Sequence, residues 1–351
     1  MRRRQILTCL VALLAILGLA ACGAKGSVDQ TPEPAAETAD QPDVMRIAVS
    51  ILPQQYFVER IGGEHVQVTV IVPPGSSPET YEPRPAQLRE LSDADAYMRI
   101  RVPFEEAWMD RIASANPNMR LVDTIAEVER MPMIHPHTHG DEEHADHHDD
   151  NHDDDHDADH HNDHEADHDD DHEADHHDDH EADHHDAPPD PHVWLSPIEV
   201  ERQARAIHAA LVDLDPANED DYDRNLAAFV QDIETLRKDI EATLADVPQR
   251  KFMVFHPAWG YFARDFDLEM LPVEIHGREP SAAELAMLIR EAREENIRVI
   301  FAQPEFSTAA AETIADEIGG EVILISPLAP DWLANMRHVA DTFARVLTDS
   351  H

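Results

Sequence analysis

The chain has 351 residues, a formal net charge of −46, 73 acidic against 27 basic residues, 25 histidines and two cysteines. So acidic a chain has no basic footprint with which to displace the counterions of a phosphate backbone, which excludes nucleic acid as a partner and makes cations the natural ligand. Two cysteines exclude a disulfide-stapled scaffold, and the length allows about two domains.

The N-terminus reads as a targeting segment. Arg2, Arg3 and Arg4 form a basic region, residues 6–19 are apolar, and Leu19-Ala20-Ala21-Cys22 has the form of a lipobox, in which cleavage precedes a cysteine that receives lipid. The apolar run is short for a membrane span. Residues 1–22 are therefore expected to be a lipoprotein signal peptide with Cys22 as the lipidation site, and Cys9 is expected to leave with the leader. Residues 23–44, rich in Pro, Ala, Glu and Thr, read as a flexible tether. The expected location is extracytoplasmic, on a bacterial cell membrane through the lipid anchor, at its periplasmic side or at the cell surface.

Residues 45–134 alternate between two hydrophobic periods. Strands are predicted over 45–51, closed by Pro53, and over 66–72, 94–100 and 119–122; helices are predicted near 54–61, 86–93 and 104–115. Residues 73–85 hold too much proline for either element. Strands that alternate with helices predict an α/β lobe with a mainly parallel sheet.

Residues 135–187 are of a different kind. Between His135 and Asp186 lie 18 of the 25 histidines and 24 of the 73 acidic residues, with no Lys or Arg, and the last part is a degenerate eight-residue repeat beginning at His156. Scattered alanines cannot build a core, so the segment is expected to be a disordered insertion. Imidazole is the commonest biological metal ligand, and interleaved carboxylates concentrate cations. Accessory, low-affinity metal sites are expected at His135, His137, His139, His144, His147, His148, His152, His156, His160, His161, His164, His168, His172, His176, His177, His180, His184 and His185. The insertion would gather, buffer or sense cations.

Order returns at residue 188. Ser196, Pro197 and Glu199 form an N-cap, a first-turn proline and a capping-box partner for a helix over 197–214, completing the first lobe at 215. Residues 216–247 read as one long linker helix, with Leu226, Phe229, Val230, Ile233, Leu236, Ile240 and Leu244 on one face. Thirty such residues would reach about 45 Å, enough to join two lobes. Residues 248–351 repeat the α/β pattern: strands over 251–255, 298–302 and 321–325; helices near 257–266, 282–294 with a Ser281/Glu284 capping box, 308–318 with a Gly319-Gly320 stop, and 332–347. The predicted fold is thus α/β, two lobes with mainly parallel sheets joined by a long rigid helix and interrupted by the insertion.

Three residues stand at strand ends or loops, where such folds place ligand groups: Glu79, His192 and His256. The motifs around them, Pro73-Pro-Gly-Ser-Ser-Pro-Glu-Thr-Tyr-Glu-Pro-Arg-Pro85, Asp190-Pro-His-Val-Trp-Leu-Ser-Pro197 and His256-Pro-Ala-Trp-Gly-Tyr-Phe262, together with Glu279-Pro-Ser-Ala-Ala-Glu-Leu285 and Ile325-Ser-Pro-Leu-Ala-Pro-Asp-Trp332, resemble the solute-binding proteins of zinc and manganese ABC importers over nearly all of residues 45–348.

That resemblance implies a non-enzymatic role: capture of a divalent metal ion between two lobes and delivery to an ABC permease with its ATPase, by a monomer. It implies Zn²⁺ as the carried ion, with Mn²⁺ or Fe²⁺ as alternatives, and His192 and His256 as ligands. Two positions depart from the family pattern: Glu79 replaces the usual histidine of the first motif, and Ser326 replaces the aspartate before the last Pro-Leu. The expected set is Glu79, His192 and His256, completed by water, Ser326 or His276. The absence of a Gly-rich phosphate loop, a nucleophilic cysteine outside the leader or an HExxH spacing argues against catalysis. A surface metal buffer or metal-linked adhesin without transport stays open as the alternative role.

Overall fold

The computed structural model describes residues 44–134, 187–275 and 277–349. The expected leader with Cys22, the tether through residue 43, the histidine-rich segment 135–186 and His276 lie outside the described residues.

The first sheet is formed by β1 (Met45–Val49), β2 (Val66–Val70), β3 (Ala96–Arg99) and β4 (Arg120–Asp123), in the order β2-β1-β3-β4 with every pair parallel. Between the strands run α1 (Leu52–Gly62), α2 (Pro85–Glu90) and α3 (Pro103–Ala115). Pro53 does more than end β1: it lies in the first turn of α1, where a missing N–H is harmless. The Gln54 side chain accepts from the peptide nitrogens of Ser50 and Ile51 and donates to the Met98 carbonyl at 2.8 Å, so it holds the β1–α1 corner to β3.

After the insertion come α4 (Pro197–Leu214) and α5 (Glu219–Leu244), the latter preceded by one 3₁₀ turn, Pro216–Asn218. Ser196 Oγ caps α4 by accepting from Glu199 N at 3.0 Å. The reciprocal half of the expected capping box is missing, because the Glu199 carboxylate accepts from Arg202 and Arg264 instead. Helix α5 has 26 residues, about 39 Å at 1.5 Å per residue. Tyr222, Phe229, Ile233, Leu236, Ile240 and Leu244 are its buried stripe, while Leu226 and Val230 are half-buried at its margin. The helix packs on α1, α4 and α9 (Trp332–Asp349).

The second sheet repeats the first topology. β5 (Lys251–Val254), β6 (Glu269–Pro272), β7 (Val299–Ala302) and β8 (Glu321–Leu324) lie in the order β6-β5-β7-β8, again all parallel. Strand β6 was not among the sequence expectations: it is four residues long and ends in Pro272, a residue that an edge position tolerates because its outer side needs no N–H. Helices α6 (Gly260–Asp265), α7 (Ala282–Glu294) and α8 (Ala309–Ile318) complete the lobe. Helix α6 is only six residues, shorter than expected, since residues 256–259 are turn. The Ser281/Glu284 capping box forms in both directions, at 3.3 and 2.7 Å. Gly319 closes α8 at φ 67°, and a Cβ on Gly320 would sit 2.0 Å from the Arg298 carbonyl oxygen, so both glycines are required by the tight entry into β8.

The central strands of the second sheet are covered on both faces, so β7 is buried and apolar throughout and β5 is so after Lys251, whereas the edge strand β8 is partly exposed. Phe252, Val254 and Phe301 face the main core with Phe343 of α9, whereas Met253, Phe255, Ile300 and Ala302 face a smaller core under α7 and α8. The main core runs without a break from β1 and α1 through α4 and α5 to α9. Two indoles tie the segment after the insertion to the second lobe: Trp194 Nε1 donates to the Pro327 carbonyl and Trp332 Nε1 donates to the Trp194 carbonyl, each at 2.7 Å. Trp332 also packs edge-on to Phe57 and Phe229. Trp332→Phe keeps an aromatic ring but loses the pyrrole half of the indole and with it the donor that the buried Trp194 carbonyl uses; it is expected to cost at least about 1–3 kcal/mol in chemical unfolding of the metal-free protein.

Candidate metal centre

Each of the three expected residues leaves an ordered element under local constraint. Glu79 sits in the Pro-rich loop after β2. That loop is held down by Tyr81, whose hydroxyl donates to Gln87 Oε1 at 2.7 Å, by Gln87 Nε2 on the Ile71 carbonyl, and by Phe104 N on the Pro78 carbonyl. The Glu79 N–H meets Ser77 Oγ at 3.2 Å. His192 precedes the 3₁₀ turn Val193–Leu195 that leads into α4, and His256 follows β5 at its C-terminal end.

The fold brings these three side chains together across a sequence span that no local pattern could bridge. His256 Nε2 lies 2.7 Å from Glu79 Oε1 and 3.3 Å from His192 Nε2, and His192 Nε2 lies 4.0 Å from the same Glu79 oxygen. One donor atom from each of the three falls within 4.8 Å of the others. His192 and His256 are 3% and 5% exposed, so both rings are shielded from bulk solvent.

Two further carboxylates, not singled out by the sequence, fix the rings. Asp190 Oδ1 accepts from both the peptide N–H and Nδ1 of His192, at 2.9 and 2.8 Å. Glu274, just past β6, holds His256 Nδ1 at 2.5 Å. With Nδ1–H given to a carboxylate, it is Nε2 of each ring that faces the centre, the arrangement by which outer carboxylates orient and strengthen imidazole ligands. Phe306 stacks on the His256 ring at 4.7 Å between centroids, and Trp194 lies 5.1 Å from the His192 ring. The aspartate of Asp190-Pro-His192 was visible as a neighbour in the motif; Glu274 had no signal, because the edge strand that delivers it was not recognised.

The electrostatics reflect this crowding. Burial alone would depress His256, but hydrogen bonds to Glu274 and Glu79 reverse the effect and raise its pKa to about 9. Burial likewise works against the Glu79 carboxylate, yet the hydrogen bond and charge of His256, with a contribution from His192, hold it below the usual range. A proton between His256 Nε2 and Glu79 Oε1 thus occupies the place a cation would take.

Of the expected completing groups, Ser326 lies to the side: its hydroxyl donates to Glu305 Oε1 at 3.4 Å and accepts from Leu328 N at 3.1 Å. His276 is outside the described residues. Glu305, after β7, shares a cavity with Glu79, His192, His256, Gln303 and Phe306. Burial pushes its carboxyl above the usual range, against its own peptide N–H and Ser326.

The two ends of the insertion meet directly beside the centre. Pro132 and Pro189 form an antiparallel bridge, Met133 N donates to the Pro188 carbonyl, and Asp190 N donates to the Met131 carbonyl at 2.7 Å. Tyr261 of α6 clamps this junction, accepting from Met131 N and donating to the Asp190 carbonyl.

Residues 47–346 match the protein family described as ZnuA, zinc-uptake complex component A, periplasmic. The high-affinity zinc uptake system protein ZnuA of Bacillus subtilis is 27% identical over 315 residues, 88% of this chain and 84% of that protein. The zinc-binding lipoprotein AdcA of Streptococcus pneumoniae is 25% identical over 81% of this chain, which spans 50% of that longer protein. A crystal structure of a ZnuA shares 40% identity with a TM-score of 0.71, covering 87% of this chain and 100% of its own. A zinc-bound ZnuA lacking its residues 138–173 has the same identity and TM-score.

The raised His256 has a measurable consequence. With its pKa raised to about 9 the ring is protonated at pH 7, and an ion taken at its Nε2 would displace that proton, so filling such a site should release about one proton, read by calorimetry in buffers of different ionisation enthalpy. The apparent affinity of that site is expected to rise by about tenfold per pH unit between pH 7 and 8.5 and to flatten above the His256 pKa.

Proposed function

Because the chain belongs to the ZnuA family of periplasmic zinc-uptake components, we propose that it captures one divalent cation, Zn²⁺ first, at Glu79, His192 and His256 and hands it to an ABC permease powered by its ATPase. The observation that carries the site is the convergence of two buried Nε2 atoms on one glutamate oxygen, with the opposite ring nitrogens already bound to Asp190 and Glu274. Two imidazoles and a carboxylate are a donor set that Zn²⁺ accepts in four-coordinate geometry. Neutral imidazole suits Zn²⁺ better than the harder Mn²⁺, which prefers carboxylate and water. Family membership also makes the chain a transport binding protein rather than an enzyme.

The lipobox at Cys22 supports attachment of this carrier to the membrane outside the cytoplasm, with the acidic, proline-containing tether giving it reach toward a permease. The histidine-rich insertion would then supply weaker, exchangeable sites beside the tight one, since a repeat without a core cannot impose one geometry.

Import predicts a growth phenotype: cells lacking this protein should fail in chelated medium and recover with added zinc, and a His192→Ala version should not restore them. Equal growth of the deleted and intact strains under chelation would remove the transport reading and leave a surface buffer. At the protein level, His192→Ala or Glu79→Ala should abolish or weaken the tightest zinc site by at least about tenfold while leaving the weaker insertion sites titratable. A Cys22→Ser protein should be recovered in the soluble extracytoplasmic fraction rather than with membranes.

A further inference from the structure

Glu305 lines the centre with one carboxylate oxygen unsatisfied. Its Oε2 is shielded from solvent and has no hydrogen-bond partner, and the carboxylate is otherwise held only by its own peptide N–H and by the 3.4 Å contact from Ser326 to Oε1. A carboxylate oxygen removed from water without a partner is costly unless a cation or proton compensates it. Glu305 lines the same small cavity as Glu79, His192 and His256, and it reaches that cavity from the C-terminal end of β7, next to Phe306, whose ring stacks on His256. The loop that carries Glu305 is therefore registered against a metal ligand by a neighbouring side chain.

The charge of the centre points the same way. Glu79 with two neutral imidazoles gives the cavity one negative charge, one short of a dication, and three donors, one short of tetrahedral Zn²⁺. Ser326, the residue in the family's aspartate position, brings no charge and does not line the cavity of Glu79, His192 and His256, its hydroxyl being engaged by Glu305 and by Leu328 N. What Ser326 does supply is a place for the Glu305 carboxylate to rest.

Resting on the proposed site of Glu79, His192 and His256, we propose that Glu305 is the fourth ligand, the second carboxylate of the metal centre, moving from Ser326 onto the bound ion. The move gives up the long hydrogen bond from Ser326 and gives the orphaned oxygen its counter-charge, so ion binding itself drives it. The coordination becomes two imidazole nitrogens and two carboxylate oxygens with net neutral charge, contributed by Glu79 and His192 on one side and His256 and Glu305 on the other. The ion would then draw the β7 loop onto the first-lobe loop, and loss of the ion would return Glu305 to Ser326.

The test uses the full chain loaded with a single equivalent of Zn²⁺ against a competing chelator, and with a single equivalent of Co²⁺ for its visible spectrum. Glu305→Ala is expected to weaken the first equivalent by at least about tenfold and to alter the cobalt spectrum, while Ser326→Ala stays within about threefold of the parent in affinity and keeps its spectrum. Chemical unfolding of metal-free Glu305→Ala should show no loss of stability, since the substitution removes an unsatisfied buried group. Parent-like binding of the first equivalent by Glu305→Ala, or an affinity loss with an unchanged cobalt spectrum, would overturn the assignment. A His192→Ala control separates the two readings: if it abolishes the first equivalent while Glu305→Ala does not, only the role of Glu305 falls; if neither has an effect, the site itself falls.

Discussion

The centre depends on what happens at the far side of two imidazole rings. Asp190 and Glu274 each engage a histidine Nδ1, at 2.8 and 2.5 Å, and thereby decide which nitrogen of His192 and His256 is left for a ligand. Without those carboxylates the rings could turn or exchange tautomers, and the convergence of the two Nε2 atoms would be one arrangement among several. With them both rings are already oriented in the metal-free protein. The 3.3 Å separation of the two Nε2 atoms is the geometric expression of that preorganisation.

Holding the carboxylates in place is the task of the surrounding fold. Asp190 is anchored by its peptide group, which reaches Met131 across the closed base of the insertion, and by Tyr261 on its carbonyl. Glu274 is anchored by its own N–H on the Phe255 carbonyl, immediately beside His256, so ligand and orienting carboxylate are set by adjacent parallel strands. The two indole hydrogen bonds of Trp194 and Trp332, and the uninterrupted core beneath α5 and α9, give the segment carrying His192 a fixed position against the second lobe. A long insertion can therefore enter the chain at residue 135 without loosening the site, because its two ends are joined before the ligand segment begins.

The parts of this architecture that were legible in the sequence share a physical character. Residues 66–70 and 299–302 are dense in β-branched and aromatic side chains, and α5 carries its apolar stripe at spacings of three and four; such periodic signals survive because burial of one face is a local property of the segment. Ser281 and Glu284 could be read as a capping box because both partners lie within one turn. At Ser196 the same pattern was only half right, since Arg264, from a helix remote in sequence, competes for Glu199. Strand β6 escaped because four residues ending in proline carry too little pattern, and its place at the sheet edge follows from pairing with β5 alone. With β6 went Glu274, and the role of Glu305 was equally hidden, since nothing about an isolated glutamate after a strand announces an unsatisfied oxygen.

By itself, then, the sequence determined the local and compositional facts: an acidic chain made for cations, two alternating α/β lobes, a histidine-rich insertion, and Glu79, His192 and His256 as the residues to watch. These follow from side-chain chemistry and from short-range periodicity, which do not require knowledge of distant neighbours. Only the tertiary structure decided that the three side chains meet, which ring nitrogens face inward, that Asp190 and Glu274 enforce this, and that Ser326 is turned toward Glu305 rather than toward the histidines. Those facts rest on distances between atoms that are as much as 177 positions apart in the chain, from Glu79 to His256, and such distances are set by sheet order and core packing, not by any spacing along the sequence.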